Sequence, residues 1–285
     1  MTRQLSFSRR DFLKTSAGWI AAAGLSPSLL TAGKKKHIPV AVQVYSVRKD
    51  LENDFFKTLE TIANIGYDGV EMWKFFGHSA KSVRKCMDDN GLKAAGAHTD
   101  LDTVMGENLA ETVAFHQILG NDKLIIPWLP ESMRNSKDAW LKTADLFNAL
   151  ADKLKPEGMR IGYHNHGMEF EPLEGEMPWD IFARSTSPDV ILQFDTGNAA
   201  AKAGSPVPYL KKYPGRTATI HIKEYSAKNP QALIGEGNLP FPEIIEVCRT
   251  VGGTEWFIIE EEKDIYPPLE GIEKSLHNFR KLLGE

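Results

Sequence analysis

Short apolar runs alternate with amphipathic segments from residue 38 to the end of the 285-residue chain. Eight of the apolar runs have the length of a buried strand, and most are followed by a segment whose apolar residues recur three and four positions apart, as in a helix. The predicted strands span residues 38–45, 67–72, 92–98, 123–127, 159–164, 190–195, 217–222 and 256–260. Eight strand–helix units over about 250 residues predict the α/β class and a single (β/α)8 barrel.

A doubly wound open sheet is the alternative for such an alternation. A dinucleotide-binding sheet needs a glycine-rich turn after its first strand, and none follows residues 38–45. No composition break, low-complexity tract or linker rich in proline and glycine interrupts residues 38–285. We therefore expect one barrel domain at residues 34–285.

The first 33 residues are typical of an export signal. Arg9-Arg10 is followed by Phe12-Leu13-Lys14 and then by a weakly apolar stretch, which matches a twin-arginine signal. The apolar stretch is too short and too rich in glycine, serine and proline for a membrane span, and no cysteine follows it for a lipid anchor. We predict that residues 1–33 direct export by the twin-arginine route, that the protein is periplasmic, and that it has no stable membrane insertion after export.

The composition narrows the class of partner. The formal net charge is −4, which offers no basic surface, so nucleic acid is not an expected partner. Hydrophobic residues make up 42% of the chain and charged residues 25%, as in ordinary globular proteins. Cys86 and Cys248 are too few for a disulfide framework or a CxxC metal site, and we expect both to be small buried thiols in helices.

Polar side chains collect at the carboxyl ends of the predicted strands. In a barrel these ends meet at one mouth, although they are far apart in sequence. Histidines and carboxylates without a thiolate suit one divalent ion such as Mn²⁺, Zn²⁺, Co²⁺ or Mg²⁺. The collected residues are Glu71, His98, His164, Asn165, His166, Glu169, Asp195, Asn198, His221, Lys223, Glu224 and Glu260.

Several of these residues have a second interpretation. Asp195 precedes Thr-Gly-Asn and could equally cap a helix or form a turn. His221 lies inside an apolar strand, where a lone histidine is often a hydrogen-bonded core residue, and Lys223 shares its face of the strand. Glu261 and Glu262 are expected on a solvated rim.

After residue 38 the chain resembles the xylose isomerase-like barrel superfamily, the sugar phosphate isomerase/epimerase family, which also holds the inosose dehydratases and endonuclease IV. The motifs that carry the resemblance are GYDGVEMW (66–73), GAHTD (96–100), IGYHNHGMEF (161–170), QFDTGN (193–198), HIKEY (221–225), GEGNLPF (235–241) and WFIIEEE (256–262). The resemblance implies one metal ion at the mouth, held by His164, Asp195, His221 and Glu260. Sugar epimerases usually have glutamate where His164 stands, and in those enzymes the two glutamates of strands five and eight form the acid–base pair.

The residues at the mouth support a hypothesis of enediolate chemistry on a carbohydrate. A divalent ion that binds a ketone and a neighbouring hydroxyl acidifies the proton between them, and a base then removes it. We expect Glu260 to be the base, with His166 or Glu169 as its counterpart and Lys223 on the developing oxyanion. The residues expected to contact substrate are Glu71, His98, Trp73, Phe75 and Trp128.

The predicted function is a divalent-metal-dependent sugar isomerase or epimerase that acts on a small carbohydrate through an enediolate. His164 in place of a glutamate supports an alternative, elimination from a 3-keto-glycoside or an inosose, because elimination needs only one base and one acid. A non-catalytic sugar-binding barrel is the alternative from another class. A DNA-repair nuclease is disfavoured, because such an enzyme would have a further metal histidine where Asn198 stands.

Overall fold

In the computed structural model, which describes residues 37–285, eight parallel strands close into a barrel. Each strand pairs with the next one along the chain, and the first pairs with the last, so no strand edge of the barrel is left unpaired. The strands are β1 (Val40–Gln43), β2 (Gly69–Met72), β3 (Lys93–His98), β4 (Lys123–Ile126), β5 (Arg160–His164), β6 (Ile191–Asp195), β7 (Thr219–Ile222) and β8 (Trp256–Ile259). The prediction of a single (β/α)8 barrel is confirmed.

Helices surround the barrel and follow the strands in sequence. The described helices are α1 (Arg48–Asn53), α2 (Phe55–Ile65), α3 (Ala80–Asp89), α4 (Asn108–Leu119), α5 (Lys137–Leu154), α6 (Pro178–Ser185), α7 (Thr196–Ala203), α8 (Val207–Lys212), α9 (Phe241–Thr250) and α10 (Pro268–Leu283). Cys248 is buried in α9 and Cys86 is half-buried in α3, both as free thiols.

The strands are buried on both faces, which explains their continuous apolar runs. All eight predicted strands are one to four residues too long, because buried residues continue beyond the hydrogen-bonded ladder, before the strand in most cases and after it in others. Val44 is an example: it is buried but begins a short 3₁₀ turn, where the Gln43 side chain accepts a hydrogen bond from the backbone of Tyr45. Inside the barrel the packing is tight, since a Cβ at Gly162 would lie 2.7 Å from Ile125.

An ion network crosses the amino-terminal end of the barrel. Lys123 and Arg160 begin β4 and β5, and both contact Asp122, just before β4, and Glu255, just before β8. Arg160 binds Glu255 through two nitrogens, at 2.7 and 2.8 Å, and the buried Lys123 Nζ lies 2.7 Å from Asp122 and 3.0 Å from Glu255. The two cations and two anions therefore neutralise one another and close this end.

Residues 1–33, predicted as an export signal, lie outside the described residues. Within residues 37–285 there is no helix both long enough and apolar enough to cross a membrane. The twin-arginine assignment therefore stays a prediction.

Candidate active site

Four side chains from neighbouring strands converge at the carboxyl end of the barrel. His164 ends β5, Asp195 ends β6, His221 lies in β7, and Glu260 directly follows β8. All four residues are buried, and one donor atom from each lies within 4.8 Å of the others. The structure thus brings together the four residues predicted as metal ligands.

The carboxylate of Asp195 has one oxygen without a hydrogen-bond partner in the described chain. Its Oδ1 accepts a hydrogen bond of 2.7 Å from the backbone of Asn198 and caps α7, whereas its Oδ2 is buried and has no hydrogen-bond partner among residues 37–285. Burial raises the pKa of this carboxyl to about 7. An unsatisfied buried oxygen is costly in a finished site. Two imidazoles and two carboxylates around it are a donor set that suits a divalent ion, so the residues present fit a metal.

His221 lies between two carboxylates. Its Nε2 is 2.6 Å from Glu71 Oε2, and its Nδ1 is 3.1 Å from Glu260 Oε2. Burial alone would lower the pKa of His221, but the charges of Glu71 and Glu260 raise it to about 10. A carboxylate behind the outer nitrogen is the arrangement that orients a metal-binding histidine. The fully buried Glu71 therefore supports His221 from inside the barrel, and its position does not fit the predicted contact with substrate.

Gln193, which was not predicted as a site residue, determines the orientation of two histidines. Its amide nitrogen donates to Glu71 Oε1 at 2.6 Å, so its oxygen must face His98 and His164. That oxygen lies 2.8 Å from His98 Nε2 and 3.0 Å from His164 Nδ1, and both nitrogens must therefore carry the hydrogen. The opposite nitrogen of His164 is left as an acceptor. A glutamine within the apolar run of β6 was the signal in the sequence that could have identified it.

A cavity of about 340 Å³ opens above these ligands, and we call it the mouth cavity. It is lined by residues from the ends of all eight strands and the turns that follow them. They are Tyr45, Trp73, His98, Pro127, His164, His166, Asn198, Lys223, Glu260 and Glu262. Trp73 and His98 thus lie where substrate contacts were predicted. Trp128 is 53% exposed and instead contacts the ring of His166, edge to face.

Lys223 and His166 both provide polar groups to the mouth cavity. The Nζ of Lys223 forms ion pairs with Glu260, at 3.4 Å, and with Glu262. Burial would lower the pKa of Lys223, but these carboxylates and Asp195 raise it well above its usual value. Burial lowers the pKa of His166 to about 4, and its Nδ1 has no hydrogen-bond partner within the described chain. The cavity therefore has a fixed cation at Lys223 and a neutral imidazole at His166.

Two carboxylates near the site have positions that differ from the predictions. Glu169 is fully buried and accepts hydrogen bonds from Tyr163 Oη at 2.6 Å and from the backbone of His166 at 2.7 Å. It fixes the turn after β5, and this geometry argues against the predicted acid–base role. The prediction that Glu261 lies on a solvated rim is wrong: it is buried and accepts hydrogen bonds from Ser275 and Lys263.

Glu224 explains the conformation of the GEGNLPF segment (235–241). This carboxylate accepts hydrogen bonds from the backbone nitrogens of Tyr225, Gly235 and Leu239. It lies so close to Gly237 that a Cβ there would clash with it. Glu224 thus fixes the loop after β7 next to Lys223, and it was one of the polar residues that the sequence grouped without assigning a role.

Comparison with known proteins agrees with this architecture. A family model described as xylose isomerase-like TIM barrel matches residues 59–282. An inosose dehydratase of Bacillus thuringiensis (strain Al Hakam) is 24% identical over 275 residues, which cover 82% of this chain and 91% of the relative.

Solved structures share the fold. A sugar phosphate isomerase/epimerase from Parabacteroides distasonis ATCC 8503 has a TM-score of 0.75 at 24% identity, covering 86% of this chain and 98% of its own. A probable 3-DHS dehydratase from Bacillus anthracis has a TM-score of 0.67 at 13% identity, covering 87% and 99%. These relatives carry the names of enzymes. Because the family model covers most of the sequence, the chain belongs to the xylose isomerase-like TIM barrel family.

Proposed function

We propose that the protein is an enzyme that removes a carbon-bound proton next to the ketone of a sugar or cyclic polyol. The observation that carries the proposal is the orphaned Asp195 oxygen among three further donor residues, directly beneath a polar cavity. The similarity to inosose dehydratases supports a substrate of this class.

The four converging residues are the proposed metal ligands. A divalent ion held by His164, Asp195, His221 and Glu260 would supply Lewis-acid stabilisation of the negative charge that develops on a substrate oxygen. The identity of the ion is proposed only as one of the oxygen- and nitrogen-binding divalent metals, Mn²⁺, Zn²⁺, Co²⁺ or Mg²⁺.

The chain itself provides the groups that move protons. Glu260 lines the mouth cavity and is the proposed base. Lys223, an ammonium with donors only, faces the same space and is proposed to hold or protonate a substrate oxygen. His166 lines the same cavity, and its Nδ1 has no hydrogen-bond partner among the described residues, which makes it the proposed counterpart of Glu260.

Elimination of a group β to the ketone is the outcome that this arrangement supports best. Epimerases of the family use matched glutamates after strands five and eight, but His164 stands at the first position and its Nδ1–H is taken up by Gln193. Elimination needs only one base and one acid, which Glu260 and Lys223 provide. Epimerisation or isomerisation is the second candidate, because His166 and Glu260 both line the cavity and could act as a pair of proton-transfer groups.

The test is incubation of the mature protein with inososes, 3-keto-glycosides and free ketoses in heavy water. We expect elimination products from one of the first two, with loss of activity after chelation and in Asp195→Asn. Asp189→Asn, an exposed carboxylate at the opposite end of the barrel, is the matched control. Deuterium exchange into ketoses without elimination would establish the isomerase alternative, and sugar binding without any exchange would establish the non-catalytic barrel.

Location is a separate proposal. The Arg9-Arg10 pair and the apolar stretch after it support export by the twin-arginine route to the periplasm. We expect Arg9→Lys together with Arg10→Lys to retain the protein in the cytoplasmic fraction, whereas Lys34→Gln leaves its location unchanged. Equal periplasmic amounts of both variants would exclude this route.

A further inference from the structure

A second cavity lies beside the mouth cavity, against α4 and the turns that follow β2 and β3. Its volume is about 400 Å³, within the range that holds a small-molecule ligand. Trp73 and His98 line both cavities, so a ligand that extends past these two side chains passes from one into the other. We propose that this side cavity binds an uncharged second sugar ring of a disaccharide-like substrate. The inference rests on the proposed carbohydrate function and adds a substrate class to it.

One wall of the side cavity is aromatic. The rings of Phe75 and Phe115 lie 4.5 Å apart at an angle of 58°, and both are half-buried, with Trp73 beside them. Phe115 extends from α4 and Phe75 from the turn after β2, so two separate elements contribute to this wall. Flat apolar faces of this kind complement the C–H face of a sugar ring, which buries apolar surface on contact.

The lining of the side cavity also has carboxylates with open hydrogen-bonding capacity. Asp100 and Glu111 line the side cavity, and neither carboxylate has a hydrogen-bond or ion-pair partner within residues 37–285. The neighbouring Thr112 and Asn108 side chains already donate to backbone carbonyls, at 2.7 and 3.0 Å. A carboxylate only accepts hydrogen bonds, so the complementary ligand presents hydroxyl groups.

The charges of the lining select against other occupants. Lys74 is the one lysine or arginine that lines this cavity in the described chain, and its Nζ lies 4.3 Å from the centre of the Trp73 ring. With Asp100 and Glu111 in the lining, a phosphorylated or acidic ring would meet repulsion. A purely aromatic substituent would cover the two carboxylates without providing donors. A neutral ring with both a C–H face and hydroxyl groups matches both the aromatic rings and the carboxylates.

Equilibrium binding measured by calorimetry tests the inference without any turnover. The probes are glucose, three glucose disaccharides (cellobiose, laminaribiose and maltose) and phenyl β-glucoside, none of which carries a ketone. We expect at least one disaccharide to bind about tenfold more tightly than glucose, because it buries a second ring. Phe115→Ala should reduce that affinity to the level of glucose, and Phe115→Leu, which retains the volume without the flat face, should fall between. Ile118→Ala, exposed on the same helix, is the control.

The carboxylates are tested with Asp100→Asn combined with Glu111→Gln, which should weaken disaccharide binding and leave phenyl β-glucoside binding unchanged. Equal affinity of wild type for glucose and all three disaccharides would overturn the inference. So would a phenyl β-glucoside that binds most tightly and is unaffected by the carboxylate variants, since the cavity would then accept an apolar group. These results can be told apart from a failure of the proposed function. In that case keto-sugars would not react, but Phe115-dependent disaccharide binding would persist.

Discussion

The two ends of the barrel each gather four ionisable side chains, and the two clusters differ in how completely they satisfy one another. At the amino-terminal end, Lys123 and Arg160 meet Asp122 and Glu255, and each cation contacts both anions at 2.7–3.0 Å. At the mouth, the cluster contains a neutral His164 held by Gln193, and the Asp195 carboxylate has one oxygen without a hydrogen-bond partner in the described chain.

This difference separates a structural cluster from a binding one. Both clusters lie at strand ends, both contain one aspartate and one glutamate, and in both the pKa values of these carboxyls are shifted, so neither the presence of carboxylates nor a perturbed pKa distinguishes them. What distinguishes them is the balance of donors and acceptors. In the cluster at the amino-terminal end, which we call the lower cluster, every charge is paired without any further group. The cluster at the mouth has hydrogen-bond acceptors without donors, and a cavity lies above them.

The largest expected effect is on activity at the mouth. Glu260→Gln should lower turnover about a thousandfold or more, because the change removes both the proposed base and a proposed metal ligand. Activity on the substrate found by the screen above, together with metal content, is the measurement. Glu262→Gln, two residues along and exposed, should have a much smaller effect. A Glu260→Gln protein with full activity and full metal content would contradict both proposed roles of Glu260, as base and as metal ligand.

Metal should stabilise the protein through the mouth alone. Addition of Mn²⁺ or Zn²⁺ to a hundred times its dissociation constant should raise the free energy of unfolding by about 2.7 kcal/mol. Thermal unfolding of the chelator-treated protein, with and without metal, measures this. Asp195→Asn should lose the increment, whereas Arg160→Met should retain it. An equal increment in Asp195→Asn would contradict the assignment of this ligand.

Disruption of the lower cluster should affect stability and leave activity intact. Arg160→Met removes three charge-assisted hydrogen bonds and should lower the free energy of unfolding by about 2 kcal/mol, discounted because these groups are partly solvated. Urea unfolding measures the change. Lys155→Met breaks an exposed pair with Asp189 and should leave the free energy of unfolding nearly unchanged, because water already screens this pair. Loss of turnover in folded Arg160→Met would contradict the inference that the lower cluster affects stability only.

Acid should weaken the lower cluster by a smaller amount. Burial alone would raise the pKa values of Asp122 and Glu255, but hydrogen bonds and charges from Lys123 and Arg160 outweigh it and lower both. Carboxyls with lowered pKa values contribute stability above the ordinary carboxyl pKa of about 4, and this contribution is lost as the pH falls through that value toward the pKa of the folded state.

The experiment compares urea unfolding at pH 6 and pH 3 for wild type and for Asp122→Asn combined with Glu255→Gln. Wild type should lose about 1 kcal/mol more than the double variant over this range, after allowance for partial exposure. Identical pH dependence would show that the lower cluster does not stabilise the fold in this way.

The sequence predicted the elements well where periodicity and chemistry agree. Strand order and the collection of polar residues at the mouth follow from the apolar runs, because parallel strands of a barrel all point to one mouth. The choice of four ligands among those residues came from the family resemblance. The direction of a side chain just beyond a strand is not determined in that way. Glu169 follows β5 by five residues, and a 3₁₀ turn brings it back to Tyr163 and away from the cavity.

Gln193 and Glu71 were misjudged for a related reason. Both lie inside strands, and their partners come from strands far apart in sequence, Glu71 with His221 and Gln193 with His98. Alternation along one strand shows that a side chain points inward, but not whether it reaches the mouth or stays beneath it. The register shift at Val70/Glu71 in the β2–β3 pairing adds to this, since local irregularities are not visible in an apolar pattern.

The Gln193 amide also has a consequence for the redesign of this protein. Its direction is tied to Glu71 on one side and to two histidines on the other, so a replacement there requires compensating changes on β2, β3 and β5 at once. Phe75 and Phe115 are engaged in no such bonds and can be exchanged one at a time. Changes of substrate range, by design or by natural mutation, are therefore easier at the side cavity. The hydrogen-bonded residues beneath the mouth cavity tolerate little change.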